Sequence, residues 1–270
     1  LTFLSIEDPR YPKRLGTIPD APCGLFVRGK LPEEEKPAVA IVGARDCTTY
    51  GRNLSQWFGG ELAAAGVQIL SGMARGIDAY SHYGALKKDG ATFAVLAGGA
   101  DMCYPESNRD IYMELERRGG IISECPPGVR PLKYYFPLRN RILSGMSDLV
   151  LIIEAREKSG SLITADYGLE QGKEVYAAPG PLGEALSAGC NNLIRQGAGI
   201  AISPEQLLEV LHILPGFNRK KMQENKIVLE RSENLVYSCL RLQARSLAEI
   251  CAKTGLTPGE TLSVMTKLQM

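Results

Sequence analysis

Histidine is scarce in this chain: His82 and His212 are its only two. The seven cysteines, at 23, 47, 103, 125, 190, 239 and 251, are scattered and form no C-x-x-C pair. No metal site is therefore expected, and the cysteines read as reduced, small core residues of a cytoplasmic protein. No apolar run reaches the length of a membrane span and no secretory signal opens the chain, so no membrane association is expected. Phosphate-loop and dinucleotide fingerprints are missing too. No G-x-x-x-x-G-K-[ST] occurs; Gly168–Lys173 is too short, and Glu174 stands where a hydroxyl is needed. No G-x-G-x-x-G follows the first apolar run. Both absences speak against P-loop ATP hydrolysis and a conventional dinucleotide site. No Ser/Cys–His pair stands out as nucleophile and base, so no catalytic residue and no cofactor are assigned. Excess positive charge is also lacking. The formal net charge is +1, so any phosphate site must be a local patch.

One such patch is present. Residues 130–147, RPLKYYFPLRNRILSGMS, set Arg130, Lys133, Arg139 and Arg141 around Tyr134, Tyr135 and Phe136, with no carboxylate among them. Cations follow a phosphate backbone and flat rings stack on unpaired bases, which together suit single-stranded nucleic acid. An ordinary loop with rings turned inward and cations turned outward accounts for the segment equally well.

Apolar runs recur at 38–42, 67–70, 92–96, 121–123, 149–153, 174–177 and 199–202. Helically spaced stretches separate most of them, among these 52–65, 77–88, 107–118, 162–171 and 204–213. The alternation predicts an α/β fold with an open parallel sheet covered on both faces. Residues 1–36, with prolines at 9, 12, 19, 22 and 32, read as an irregular lead-in packing on the main domain. Residues 37–213 are the main domain and 214–228 a polar, basic linker. Residues 229–270 hold three short amphipathic helices, with Gly255 between the last two as in a helix-turn-helix. The chain opens at Leu1 without a methionine and ends at Met270, so a fragment of a longer protein is expected.

In a parallel sheet, ligands bind beyond the carboxyl ends of the strands. Glycines gather there: Gly43 before Arg45, Ser71-Gly72 before Arg75, Gly98-Gly99 before Asp101, Gly160 within Ser159–Ser161, and Gly180. Glycine lets backbone approach an oxygen, and a following helix offers free N–H groups to an anion. A single such loop is weak evidence; five on one rim, with two arginines, are harder to set aside. Asp78 reads as a helix-start residue, and His82 as packed or at the surface.

The strings SGMARGID (71–78), LAGGADMCYP (96–105), FPLRNRILSG (136–145) and SGSLITADYGLEQGKEV (159–175) resemble the DNA-processing protein A family (DprA, also called Smf). VGARDCTTYG (42–51), the APG at 178–180 and Asn191–Gly197 fit as well, and the likeness spans about residues 5–213. The resemblance implies an extended Rossmann-like fold with a small winged-helix-like C-terminal domain, here cut short before a wing. It implies a homodimer that binds and protects single-stranded DNA without catalysis. It further implies that the dimer loads the recombinase RecA during bacterial natural transformation. The family's phosphate-gripping arginine maps to Arg45, and its lysine and stacking aromatic map to Lys133 and Phe136. Asn140 and Arg141 fall in the same motif, with Arg139 a peripheral contact. Gly43, Ser71, Gly72 and Arg75 complete the expected site, although Arg75 would equally brace the sheet edge. Leu207, Leu208 and Leu211 suit a dimer interface or an intramolecular core. Two rivals remain at this point: a nucleotide phosphoribohydrolase-type enzyme on a related fold, and a double-stranded DNA regulator acting through the C-terminal helices.

Overall fold

A computed structural model describes residues 1–213, 231–239 and 245–269. The chain divides into two compact units, Leu1–Pro215 and Gly216–Met270. The expected linker at 214–228 lies outside the described residues.

The first unit is built on strands β1 (Thr2–Ser5), β2 (Gly24–Gly29), β3 (Ala38–Gly43), β4 (Gln68–Ser71), β5 (Thr92–Val95), β6 (Gly120–Ser123), β7 (Leu149–Ile153), β8 (Glu174–Ala177) and β9 (Gly199–Ile200). Its helices are α1 (Lys13–Gly16), α2 (Thr49–Ala64), α3 (Ile77–Lys87), α4 (Arg109–Arg118), α5 (Tyr135–Gly145), α6 (Gly160–Glu170), α7 (Ala185–Arg195) and α8 (Pro204–Val210). All nine strands join one sheet in the order β1-β2-β6-β5-β4-β3-β7-β8-β9. From β3 to β9 the pairing is parallel. Strands β3 and β7 are buried along nearly their whole length, which is why they read as unbroken apolar runs rather than alternating ones.

The lead-in is a correction. It is not irregular: β1 and β2 pair antiparallel with each other, and β2 continues the sheet antiparallel to β6. In β2 only Leu25 and Val27 turn fully inward, the period of a half-buried strand. The prolines that obscured this pattern all lie between the strands, where no ladder N–H is lost. A second correction concerns the cationic aromatic segment, much of which is helix α5. Pro137 sits in its first turn, where N–H groups have no intrahelical partner and proline costs little.

Chain order and sheet order part company at one place. Strands β3 to β6 step along the sheet one way, and β7 then returns to the opposite flank of β3. A crevice opens beyond the carboxyl ends of β3 and β7 at this switch point. Beside it, α2 and α3 pack through glycines. A Cβ at Gly59 would lie 2.5 Å from the Ser81 carbonyl oxygen, and one at Gly84 would collide with that of Gln56. Leu207 is fully buried in the core, whereas Leu208 and Leu211 are half-buried.

The second unit has helices α9 (Arg231–Cys239), α10 (Leu247–Thr254) and α11 (Pro258–Gln269) around buried Val236, Ile250 and Val264. Ser246 and Glu249 close a reciprocal capping box on α10, and Gly255 ends that helix in the left-handed conformation at φ 72°. Among the described residues no helix is long and apolar enough to cross a membrane.

His82 is sealed inside, its Nδ1 2.7 Å from the Thr92 hydroxyl. Thr92 spends its own proton on the Ile69 carbonyl, so Nδ1 carries the imidazole proton. Burial, aided by nearby Arg139, drives the ring down to about 3 from its usual 6.5. The unfolded chain thus takes up a proton that the folded chain refuses. Stability should be complete above about pH 6.5 and fall toward pH 3, by up to a few kcal/mol. His82→Gln should flatten that slope in urea titrations run across this range, whatever its absolute stability. An unaltered slope would show that other groups carry the acid sensitivity.

Candidate functional site

Glycine at the end of β3 lets the switch-point crevice form. A Cβ on Gly43 would strike the Ile153 carbonyl of β7 and lie 2.8 Å from Ile77 of α3. The crevice is a cleft of about 230 Å³. Gly43, Arg45, Phe136 and Asn140 line it, together with Ser159–Ser161 at the start of α6. That helix start directs the positive end of its dipole at the opening.

Two of the expected contacts meet at the mouth. The Arg45 guanidinium is exposed and lies 4.9 Å from the centroid of the half-buried Phe136 ring. Tyr104 is half exposed, with its ring 6.3 Å from that of Phe136. Lys133 is exposed in the turn that leads into α5 and has no ion pair among the described residues. Arg75 is exposed as well, its guanidinium 3.8 Å from the Asp46 carboxylate. Gly76, at φ 76°, holds the two arginine loops together, since any side chain there would collide with the carbonyls of Ala44 and Arg45.

Other expected contacts are taken up by internal partners. Arg139 is buried, not peripheral: it donates to the carbonyls of Gly72 and Val95, and its Nε donates to the Asn140 side-chain oxygen at 3.1 Å. Gly72 has no Cβ because that space belongs to the Arg139 guanidinium. Asp78 accepts from the Gly72 and Ala74 N–H groups at 3.1 and 3.4 Å. Desolvation pushes the Asp78 carboxyl above its ordinary range, while Arg139 and the two N–H groups pull it back. Desolvation likewise lowers Arg139 to about 10, still protonated at neutral pH. Ser71 is sealed, its hydroxyl donating to the Ile41 carbonyl at 2.6 Å. Arg141 makes a two-pronged bond to Glu124 at 3.0 and 2.7 Å, with its side chain only 11% exposed. Asn140 lines the cleft while donating to the Gly160 carbonyl at 3.2 Å, which ties α5 to the start of α6.

Internal partners account for this sorting. Phe136, Arg139 and Asn140 are three and four apart and all line the cleft, but Phe136 is half-buried at its mouth, whereas Arg139 is buried with its guanidinium on the Gly72 and Val95 carbonyls. The sequence reading also missed Glu154. This residue follows β7 at φ 51°, is 6% exposed, and accepts from both the backbone N–H and the hydroxyl of Thr48. It thereby clamps the loop that carries Arg45. Nothing local marks it, because its partner is 106 residues away.

The family model for DNA recombination-mediator protein A matches residues 2–212. The chain is 44% identical over 210 residues to protein Smf of Escherichia coli, an alignment covering 76% of this chain and 56% of that protein. It thus spans little more than half the length of that curated relative. The fold is similar to that of DNA processing protein A from Streptococcus pneumoniae, with a TM-score of 0.73 and 39% identity. That match covers 77% of this chain and 73% of the other. It is also similar to DNA processing protein A from Helicobacter pylori, whose structure is described for its single-stranded DNA binding mode. There the TM-score is 0.71 and the identity 30%, over 78% of this chain and 96% of the other.

Arg139→Ala should cost about 3–5 kcal/mol, because it strips the buried Gly72 and Val95 carbonyls of their donor and Asp78 of the positive charge nearby. Arg45→Ala should stay within about 1 kcal/mol of the parent, since only an exposed ring contact is lost. Denaturant midpoints at constant m-value measure both. Equal midpoints for the two variants would remove Arg139 from its bracing role.

Proposed function

This chain belongs to the DNA recombination-mediator protein A family, and we propose that its switch-point cleft binds single-stranded DNA without a catalytic step. The observation that carries this reading is the exposed Arg45 guanidinium poised over Phe136 at the mouth of a glycine-lined cleft. A cation and a ring in contact present both halves of a nucleotide site. On binding, Arg45 turns to a phosphate and the ring face becomes free for a base. Lys133 holds a neighbouring phosphate as a mobile point charge. The backbone near Gly43 and the start of α6 favour the anion further. Arg75 and Asn140 flank the track. Ser71, Gly72, Arg139 and Arg141 serve it indirectly, by shaping the loops.

Because such contacts go to phosphates and ring faces, binding should be broadly indifferent to base sequence. A catalytic role finds little support, since the carboxylate in the cleft wall, Asp78, already accepts two backbone N–H groups. The resemblance to the family supports the finer part of the proposal. A cytoplasmic homodimer places two clefts on one strand, shields it, and passes it to RecA in natural transformation. Pairing two clefts raises avidity through local concentration rather than new contacts.

Fluorescence anisotropy with single- and double-stranded oligonucleotides over a salt series tests the cleft. Single strands should be preferred. Phe136→Ala should weaken them by about 1–3 kcal/mol, with an unfolding midpoint close to the parent's. Lys133→Ala should reduce the logarithmic salt slope by about 0.7. Equal affinity for both nucleic acids, or an unchanged slope in the lysine variant, would defeat the reading.

A further inference from the structure

Outside the cleft, helices α2 and α3 expose a second cationic and aromatic surface that the family strings did not point to. The Arg52 guanidinium lies 5.0 Å from the Tyr80 ring centroid. The Lys87 ammonium lies 4.8 Å from that of Tyr83. Tyr80, Tyr83 and Lys87 are spaced three and four apart, so they share one face of α3. A groove of about 430 Å³ runs along this face, lined by Arg45, Arg52, Arg75, Tyr80 and Tyr83. Arg45 lines the switch-point cleft as well, so groove and cleft meet at one side chain.

The charge balance favours a polyanion. Asp46 is the carboxylate among the lining residues, against three arginines. Glu61, farther along α2, is already paired with Lys88 at 3.0 Å. The rings decide which polyanion. Tyr83 is 41% exposed, a large flat surface left in water beside a cation. Bases already stacked and paired in a duplex offer it no free face, whereas an unpaired strand does.

We propose that a single strand leaving the cleft at Arg45 continues along the α2–α3 face, over Arg75, Arg52 with Tyr80, and Lys87 with Tyr83. The proposal rests on the cleft reading and extends it. Each cation–ring pair repeats the arrangement of Arg45 with Phe136 and works in the same way. The cation moves to a phosphate, and the ring it leaves receives a base. From Tyr80 to Lys87 the helix advances about 10 Å, which lengthens the track beyond the cleft.

The test compares oligothymidylates of about 6 nucleotides, near the short end of the footprints such surfaces occupy, and about 20, longer than one such footprint. The variant Tyr83→Ala/Lys87→Ala should bind the long oligonucleotide roughly tenfold more weakly. Its salt slope on the long oligonucleotide should fall by about 0.7. It should bind the short one as the parent does. Lys87→Glu alone, at an exposed position, should reproduce the length-selective loss. Thermal unfolding followed by circular dichroism confirms that both variants fold. Parental affinity for both lengths would overturn the path and leave the cleft reading standing; it is also the outcome expected if this face docks a protein. Equal losses at both lengths would overturn it too, since the face would then not act as an extension. If the parent protein bound neither length, the cleft reading would fail and the path with it.

Discussion

A buried guanidinium organises the carboxyl edge of this sheet. Arg139 reaches from α5 to the loop after β4 and the end of β5 and hydrogen-bonds the carbonyls of Gly72 and Val95. Asp78 balances its charge from α3 while holding the same β4 loop by its N–H groups. A charge this deep persists only when neighbouring groups replace its lost hydration. The arrangement therefore ties α5, the loop after β4, the end of β5 and α3 to one another. Gly72 belongs to it by omission, because a methyl group there would occupy the space of the guanidinium.

The cations of the region divide by exposure. Arg139 and Arg141 are consumed by internal partners, a set of carbonyls and Glu124 respectively. Arg45, Arg75 and Lys133 remain in water, with Arg45 over a ring and Arg75 near a weakly placed carboxylate. A chain with a net charge of +1 has little long-range field to draw a polyanion. Attraction must then come from such clustering, helped by helix starts and open backbone at the switch point. Buried arginines shape the surface, and exposed ones are free to exchange a ring for a phosphate.

The loop that carries Arg45 shows how far this positioning extends. Its near end follows the buried β3 strand, and its far end is held by Glu154 from beyond β7. A second brace joins Asn191 of α7 to both the N–H and the carbonyl of Gly180. The first brace closes 106 residues of sequence and the second 11, each with two hydrogen bonds. The mobile side chains are thus mounted on loops whose own conformations are narrowly set.

Much of the fold was legible because parallel strands buried on both faces must be continuously apolar, and because strand-to-helix turns must be glycine-rich. Those two signals located the strands from β3 to β8, the rim of the cleft, and Gly43 and Arg45 on it, while Phe136 stood out in the cationic aromatic segment. Strands β1 and β2 escaped notice because a short half-buried edge strand alternates weakly and its neighbouring prolines resemble irregular chain. What the amino-acid sequence determined by itself was the local chemistry: which turns admit backbone close to a ligand, and where cations and rings occur together. Only the tertiary structure decided which of those cations face water. Arg139 and Lys133 look alike in a linear string, but one lies under the strand ends and the other in an exposed turn. That difference is set by where α5 begins and what it packs against, and by partners tens of residues away.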